Sequence, residues 1–396
     1  MNRPTRYDDL ELLRGLAAVA VVIYHFLRAF LPPSQMPLFA DVMGIAVERP
    51  FVLALVNGPF MVTIFFVLSS FALTVRLVEA RVTVPTLVAM TKRFPRLFPM
   101  TFVGAMLPAL LFAAGWMMNV EASALNGSSW LANSGGVKIS NNWPDPSIVG
   151  GAADSIRLFA QGLSQYNSVL WTMRYELLGS LIALSTALVI AGERRPLFDV
   201  AATGLIALLA LPLHSLCSIC AVTVLLTKYL RGSPIRFPPH VAATLILLGL
   251  AIGSTYKPFP EEMATDPQIG VHVLRMDWLI HGVGAVLVFL GVHRWRREQA
   301  PDWPRARKLG QLSFAIYVLH VPVIGSLASA VVLAMGYNLI GVGLAALATL
   351  LATGLMALWL SRLDLWWVGM LNRVARKVAV GQTGPGGLRP QSTDAP

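Results

Sequence analysis

The chain has 396 residues, of which 56% are hydrophobic and only 13% charged. That balance excludes a disordered chain and an ordinary soluble domain. The net charge of +11 does not mark a nucleic-acid partner, because the Lys and Arg residues collect in short segments between apolar runs, as cytoplasmic loops do.

Apolar runs of roughly 20 residues, enough for a helix to cross the hydrocarbon core, recur along the chain. They predict an all-α, polytopic transmembrane bundle of about ten spans. The first span, residues 10–31, stops at Pro32-Pro33. It runs past a signal-peptide core and lacks a small-residue cleavage site, so it reads as a retained span. The second, residues 60–78, meets Arg76 and Arg81 at its far end, and Lys92, Arg93 and Arg96 lead into the third, residues 97–118. The longest loop, 119–161, is rich in Asn, Ser, Gly and Trp with few cations, and belongs outside the cytoplasm. Its Trp130 and Trp143 suit either a sugar ring or the membrane interface.

The fourth span, residues 168–191, returns to Arg194 and Arg195. A tight hairpin around Pro212 and His214 joins the fifth and sixth spans, and the sixth ends at Lys228, Arg231 and Arg236. The seventh covers 241–256; after a loop to Arg275, the eighth ends in the densest cluster, Arg294, Arg296, Arg297, Arg305, Arg307 and Lys308. The ninth and tenth spans, 309–335 and 339–360, are joined through Gly336-Tyr337-Asn338, and Arg373, Arg376 and Lys377 follow. Residues 1–378 thus form one membrane domain, and 379–396, rich in Gly, Pro, Gln and Ser, read as a disordered tail. Alternate loops are basic and the span count is even, which puts both termini in the cytoplasm. The two cysteines, Cys217 and Cys220, read as small buried helix residues and not as a redox or metal pair.

Arg14 and His25 stand out within the first span. Eleven residues at about 100° each bring both side chains to one helix face, roughly 16 Å apart along the axis. Such groups are expensive inside a membrane helix. His25 reads either as a general base, since imidazole titrates near neutral pH, or as a buried histidine bonded to a backbone carbonyl. Arg14 reads either as a clamp for phosphate groups or as a side chain snorkelling to lipid headgroups.

Five segments in order carry a resemblance. They are Glu11-x-x-Arg14-Gly15-x-Ala17-Ala18 with His25; Phe65-Phe66-Val67-Leu68-Ser69-Ser70-Phe71; Arg93-Phe94-Pro95-Arg96-Leu97-Phe98-Pro99; Leu170-Trp171-Thr172-Met173-Arg174-Tyr175-Glu176; and Leu309-Gly310-x-x-Ser313-Phe314-x-x-Tyr317-x-x-His320. Together they resemble the signatures of the membrane acyltransferase-3 family, whose members O-acylate bacterial glycans and other small acceptors. Ser70 stands where that family usually has glycine, and Glu11 where aspartate is more usual. The periplasmic esterase-like domain of some relatives is absent.

The resemblance implies an inner-membrane enzyme that moves a short acyl group, most simply acetyl, from acyl-CoA to a hydroxyl of a carbohydrate or similar acceptor, with no metal. It implies His25 as general base and Arg14 as an anchor for the donor phosphates; Arg93 and Arg96, side by side at i and i+3, read either as joining that anchor or as cations that simply enforce topology. Glu176 is expected either to pair with Arg174 or to serve catalysis, by orienting His25 or binding a sugar hydroxyl. Ser69, Tyr317 and His320 are expected to bind substrate, although the last two, which share a helix face, read equally as structural residues. His214, His272, His281 and His293 follow no motif and read as packing residues. A transporter or flippase for a glycan or lipid intermediate is the rival class, in which buried Arg, His and Glu would bind cargo.

Overall fold

A computed structural model describes residues 7–31, 56–78, 83–134, 146–231, 233–254, 267–295 and 303–381, with side chains described throughout except at 267–275 and 375–381. Of the described residues 84% are helical and none lies in a strand. The helices are α1 (Asp8–Phe30), α2 (Gly58–Thr74), α3 (Thr83–Thr91), α4 (Arg93–Ala113), α5 (Asn119–Ala124), α6 (Ser129–Asn133), α7 (Ile148–Gln161), α8 (Thr172–Ile190), α9 (Pro196–Ala210), α10 (Ser215–Leu230), α11 (Pro239–Gly253), α12 (Pro267–Arg294), α13 (Pro304–Val323), α14 (Ser329–Met335) and α15 (Leu339–Gly381). A 3₁₀ turn, Ser168–Trp171, leads into α8, and a π-helical turn, Ile324–Ala328, joins α13 to α14.

Six stretches are long and apolar enough to cross a membrane: Asp8–Phe30, Thr83–Ala113, Ser168–Ile190, Met276–Arg294, Pro304–Met335 and Leu339–Val374. The shorter apolar helices α2, α9, α10 and α11 have 15 to 17 residues. They measure about 22–26 Å against a hydrocarbon core of roughly 30 Å. Two expectations change. The loop expected at 119–161 contains α5, α6 and α7, with α7 packed along α4. The last helix does not end at 360 but continues to Gly381, through a stretch without proline. The expected stop at Pro32-Pro33, Arg81, Trp143, the end of the seventh span at 256, Arg296, Arg297 and the tail from 382 lie outside the described residues, as do the side chains of His272, Arg275, Arg376 and Lys377.

The centre of the bundle is the pair α1 and α13, packed along each other, with α15 behind α13. Helix α2 fills the space between α1, α8, α10 and α12. The α1–α13 contact is close because two motif glycines meet there. A Cβ at Gly310 would fall 2.1 Å from Glu11 Oε2 and 2.7 Å from the Glu11 carbonyl oxygen, and one at Gly15 would fall 2.3 Å from Leu309 Cγ.

Three prolines inside helices organise the rest. A helical proline cannot donate to the carbonyl four residues earlier, and within lipid such a carbonyl must find another donor. Pro99 opens the carbonyl of Pro95, which accepts from Trp367 Nε1 at 2.7 Å. Pro108 opens Gly104 and Pro322 opens Val318. Both of those carbonyls accept from the fully buried Asn167 Nδ2, at 3.0 and 2.9 Å. One amide thereby ties the approach to α8 to both α4 and α13.

Two cations counted as loop charges in the sequence are structural. Lys228 is 4% exposed, and its Nζ donates to Asp199 Oδ2 at 2.6 Å and to the carbonyls of Ile190 and Glu193. Arg294 is 3% exposed and donates to the carbonyls of Leu230, Ser233 and Ile235, so it ties the end of α10 to α12. Cys217 and Cys220 are buried and free. Ser70, in the glycine position of its motif, is buried.

Replacing Asn167 tests the proline bridging. Asn167→Leu leaves two buried carbonyls without a donor, at about 1–3 kcal/mol each, and is expected to lower the apparent melting temperature of the detergent-purified protein. Asn167→Asp is expected to melt lower still, because it turns acceptor oxygens toward two carbonyls. Equal melting of all three proteins would refute the bridging role.

Candidate active site

Side chains from α1, α2, α4, α8, α13 and α15 enclose a cavity of about 430 Å³. Arg14, Ser69, Arg93, Arg96, Glu176 and Tyr317, which the sequence marked on five separate segments, all line it. A second cavity of about 700 Å³ adjoins it, sharing Arg14, Ala72 and Gln311 and adding Asp8, Glu11, Arg307 and Lys308. Arg14 therefore stands between the two.

Each cavity arginine is held by a carboxylate. Arg14 donates through Nη2 to Glu11 Oε2 at 2.6 Å, and through Nε and Nη2 to the Gly310 carbonyl at 3.1 and 2.8 Å. The absence of a side chain at Gly310 is what lets α1 come near enough for that bond. Arg93 Nη2 donates to Glu176 Oε1 at 3.1 Å, both side chains being 16% exposed. Arg96 grips both oxygens of Asp364, at 2.5 and 2.9 Å. Pairing is what makes cations tolerable in a low-dielectric interior. Glu176 thus takes neither expected partner: Arg174 donates to the Ala160 carbonyl, and His25 contacts other groups. The sequence reading missed Asp364 because the tenth span was ended four residues too early to include it.

Tyr317 closes the inner end of the cavity. Its hydroxyl donates to the Val169 carbonyl at 3.0 Å and lies 3.0 Å from Thr172 Oγ1, while Phe65 packs on its ring. One turn further along α13 is His320, fully buried, with its ring 5.9 Å from that of Tyr317. His320 does not line the cavity; it meets His25, Nε2 to Nδ1 at 3.0 Å.

The hydrogen bonds of this histidine pair assign the protons. His25 Nδ1 lies 3.0 Å from the Val21 carbonyl, and His320 Nδ1 lies 3.3 Å from that of Ile316. A carbonyl only accepts, so each Nδ1 carries hydrogen. His320 Nε2 then accepts from the His25 Nδ1–H, which it shares with Val21. His25 Nε2 is left with its lone pair and has no partner among the described residues, the condition a general base requires.

The far end of α1 is built over by the segment expected as a loop. The last carbonyls of a helix lack internal donors, and here Ser128 Oγ, Asn126 Nδ2 and Tyr337 Oη donate to Arg28, Ala29 and Phe30 at 2.7, 2.8 and 2.7 Å. These bonds hold α6 so that the Trp130 ring stacks on His25, with centroids 5.0 Å apart and planes 25° apart.

Comparison with known proteins finds a family model, described as an acyltransferase domain, that matches residues 7–358. No curated protein and no solved structure matches the chain.

Gly310→Ala tests the glycine contact. The added Cβ would press on the Glu11 carbonyl as well as its side chain, so the variant is expected to lose about 1–3 kcal/mol, read as a lower melting temperature. Truncating the neighbour with Glu11→Ala is expected not to restore it; full restoration would show that the side chain alone sets the spacing.

Proposed function

The chain belongs to the acyltransferase-3 family and is a membrane acyltransferase, and on that footing we propose that it moves an acetyl group from acetyl-CoA to a hydroxyl of a carbohydrate. The observation that carries this reading is the sequence of groups along α13 and α1: an arginine-lined cavity ending at Tyr317, one turn beyond it His320, and paired with His320 the His25 imidazole, whose Nε2 has no partner among the described residues. Family membership replaces the transporter alternative.

In this reading the donor enters at the arginine end. Arg14, Arg93 and Arg96 keep guanidinium donors beyond those that hold their carboxylates, and these bind the phosphates of the nucleotide, as planar forked cations do well. Glu176 holds Arg93 in place, and Ser69 offers a hydroxyl to the acyl-carrying arm. Tyr317 lies on the way to the histidines, so the arm passes its ring to bring the thioester to His25.

His25 Nε2 takes the proton of the acceptor hydroxyl as its oxygen bonds to the thioester carbonyl carbon. The C–S bond then breaks, and the leaving thiolate recovers that proton from the imidazolium. His320 keeps the His25 ring oriented by accepting from Nδ1–H. A covalent relay, in which Nε2 first attacks the thioester and then passes the acetyl group on, uses the same residues.

For topology, the six long helices and the four shorter ones are read as ten crossings of a bacterial inner membrane, with both termini in the cytoplasm. The basic clusters at Arg194 and Arg195, and around Arg305 to Lys308, support this under the positive-inside rule. Helices α5 to α7 then cover the outer side, where an envelope glycan would arrive.

Two substitutions separate chemistry from donor binding in an assay of purified protein with labelled acetyl-CoA. His25→Ala is expected to lower acetyl transfer or hydrolysis by about 10²–10⁴-fold, the usual contribution of a general base. Arg14→Gln is expected to raise the KM for acetyl-CoA by about tenfold with a smaller change in kcat, as loss of ground-state binding does. An inactive wild type, or a fully active His25→Ala, would sink the proposal.

A further inference from the structure

The three cavity arginines each hold a carboxylate, but a fourth arginine beside the histidines pairs with none among the described residues. Arg28 lies three residues past His25 on α1, half-buried. Its only side-chain hydrogen bond among the described residues is a long one, Nη1 to Tyr24 Oη at 3.4 Å. Its guanidinium lies over two rings, 5.7 Å from the Tyr24 centroid and 5.9 Å from that of Trp130. Aromatic faces stabilise a cation yet leave nearly all its N–H donors open. Trp130 touches both this guanidinium and the His25 ring, so an open cation and an open base share one aromatic wall.

The end of α1 that carries Arg28 is built over by protein. Ser128, Asn126 and Tyr337 cap the end of α1, and α6 lies across Arg28. That cover disfavours simple snorkelling to headgroups and favours a ligand that enters beside Trp130.

We propose that Arg28 and Trp130 form the acceptor subsite, and that the acceptor is an anionic sugar whose carboxylate pairs with Arg28 while its ring lies against Trp130. Residues three apart on a helix hold their Cβ atoms about 5–6 Å apart, a span that lets one hexuronate ring place its carboxylate at Arg28 and a hydroxyl at His25 Nε2. This rests on the reading of His25 as the base, but its test needs no turnover.

The full chain in nanodiscs of neutral phosphatidylcholine is treated with diethyl pyrocarbonate, and modification of His25 is followed by peptide mass spectrometry. Methyl glucuronide is compared with methyl glucoside, which carries a neutral hydroxymethyl group in place of the carboxylate. The glucuronide is expected to protect His25 about tenfold better than the glucoside, the scale of one charge-assisted contact. That ratio is expected to fall to near one in Arg28→Gln and to survive in Arg28→Lys, so a general loss of folding does not mimic the result. Equal protection by both sugars, protection by neither, no labelling of His25 at all, or an unchanged ratio in Arg28→Gln each overturns the proposal. So does loss of the ratio when phosphatidylglycerol replaces the neutral lipid, which would assign Arg28 to headgroups. Selective protection without acetylation of the glucuronide would instead keep the anion site and remove the role given to His25.

Discussion

The Nδ2 amine of Asn167 has two hydrogens, and each meets a main-chain carbonyl that a proline has left open, Gly104 on α4 and Val318 on α13. Without that amide two helices would each keep an unsatisfied polar group in the apolar interior. With it, the prolines become connection points. The same backbone stretch carries the Val169 carbonyl and Thr172, the two partners of the Tyr317 hydroxyl, so the inner end of the cavity is placed by this one side chain. Trp367 does the equivalent at Pro95, beside the arginines. Helix breakers here set the positions of the candidate site's side chains.

The cavity is close to electrically balanced. Three guanidinium groups face Glu11, Glu176 and Asp364, and an isolated cation in that setting would be costly. The pairs hold the guanidinium planes still, so the anionic donor proposed above would meet donors already in place, and less conformational freedom would be lost on binding. The histidine pair follows the same logic without charge: backbone carbonyls one turn back fix both imidazoles, leaving one nitrogen unengaged.

Much of this was legible in the residues. The helical class, the cost of Arg14 and His25, and the motif spacing led to the cavity, because chemistry-bearing side chains in an apolar chain are few and conspicuous. Gly310 was visible as a motif letter, but its purpose depends on how closely α1 crosses α13, which no local pattern encodes. The same holds for Asn167, an ordinary loop residue in sequence whose partners lie on two distant helices. For Glu176 the sequence offered either Arg174 as a partner or a catalytic role, whereas the fold supplies Arg93 as its ion-pair partner. The stretch 119–134 reads as polar loop because its short helices are stabilised by capping and by docking on α1, and not by their own periodicity. Trp130 accordingly had two open readings, and neither was the contact it makes with His25.

The π-helical turn at Ile324–Ala328 has a geometric consequence. Eight residues of uninterrupted α-helix drift by about 80° around the axis, which would carry Val332 away from the line of Ile324. The wider turn takes that drift back, and Ile324, Ala328 and Val332 all stay in the cluster that holds Phe30 and Leu131. The turn also presents the Gly325 carbonyl to the Met118 amide at 2.9 Å. It works as a vernier: one wider turn resets the phase of the helix, so that the lower part serves the histidines while the upper part seats the cover above them.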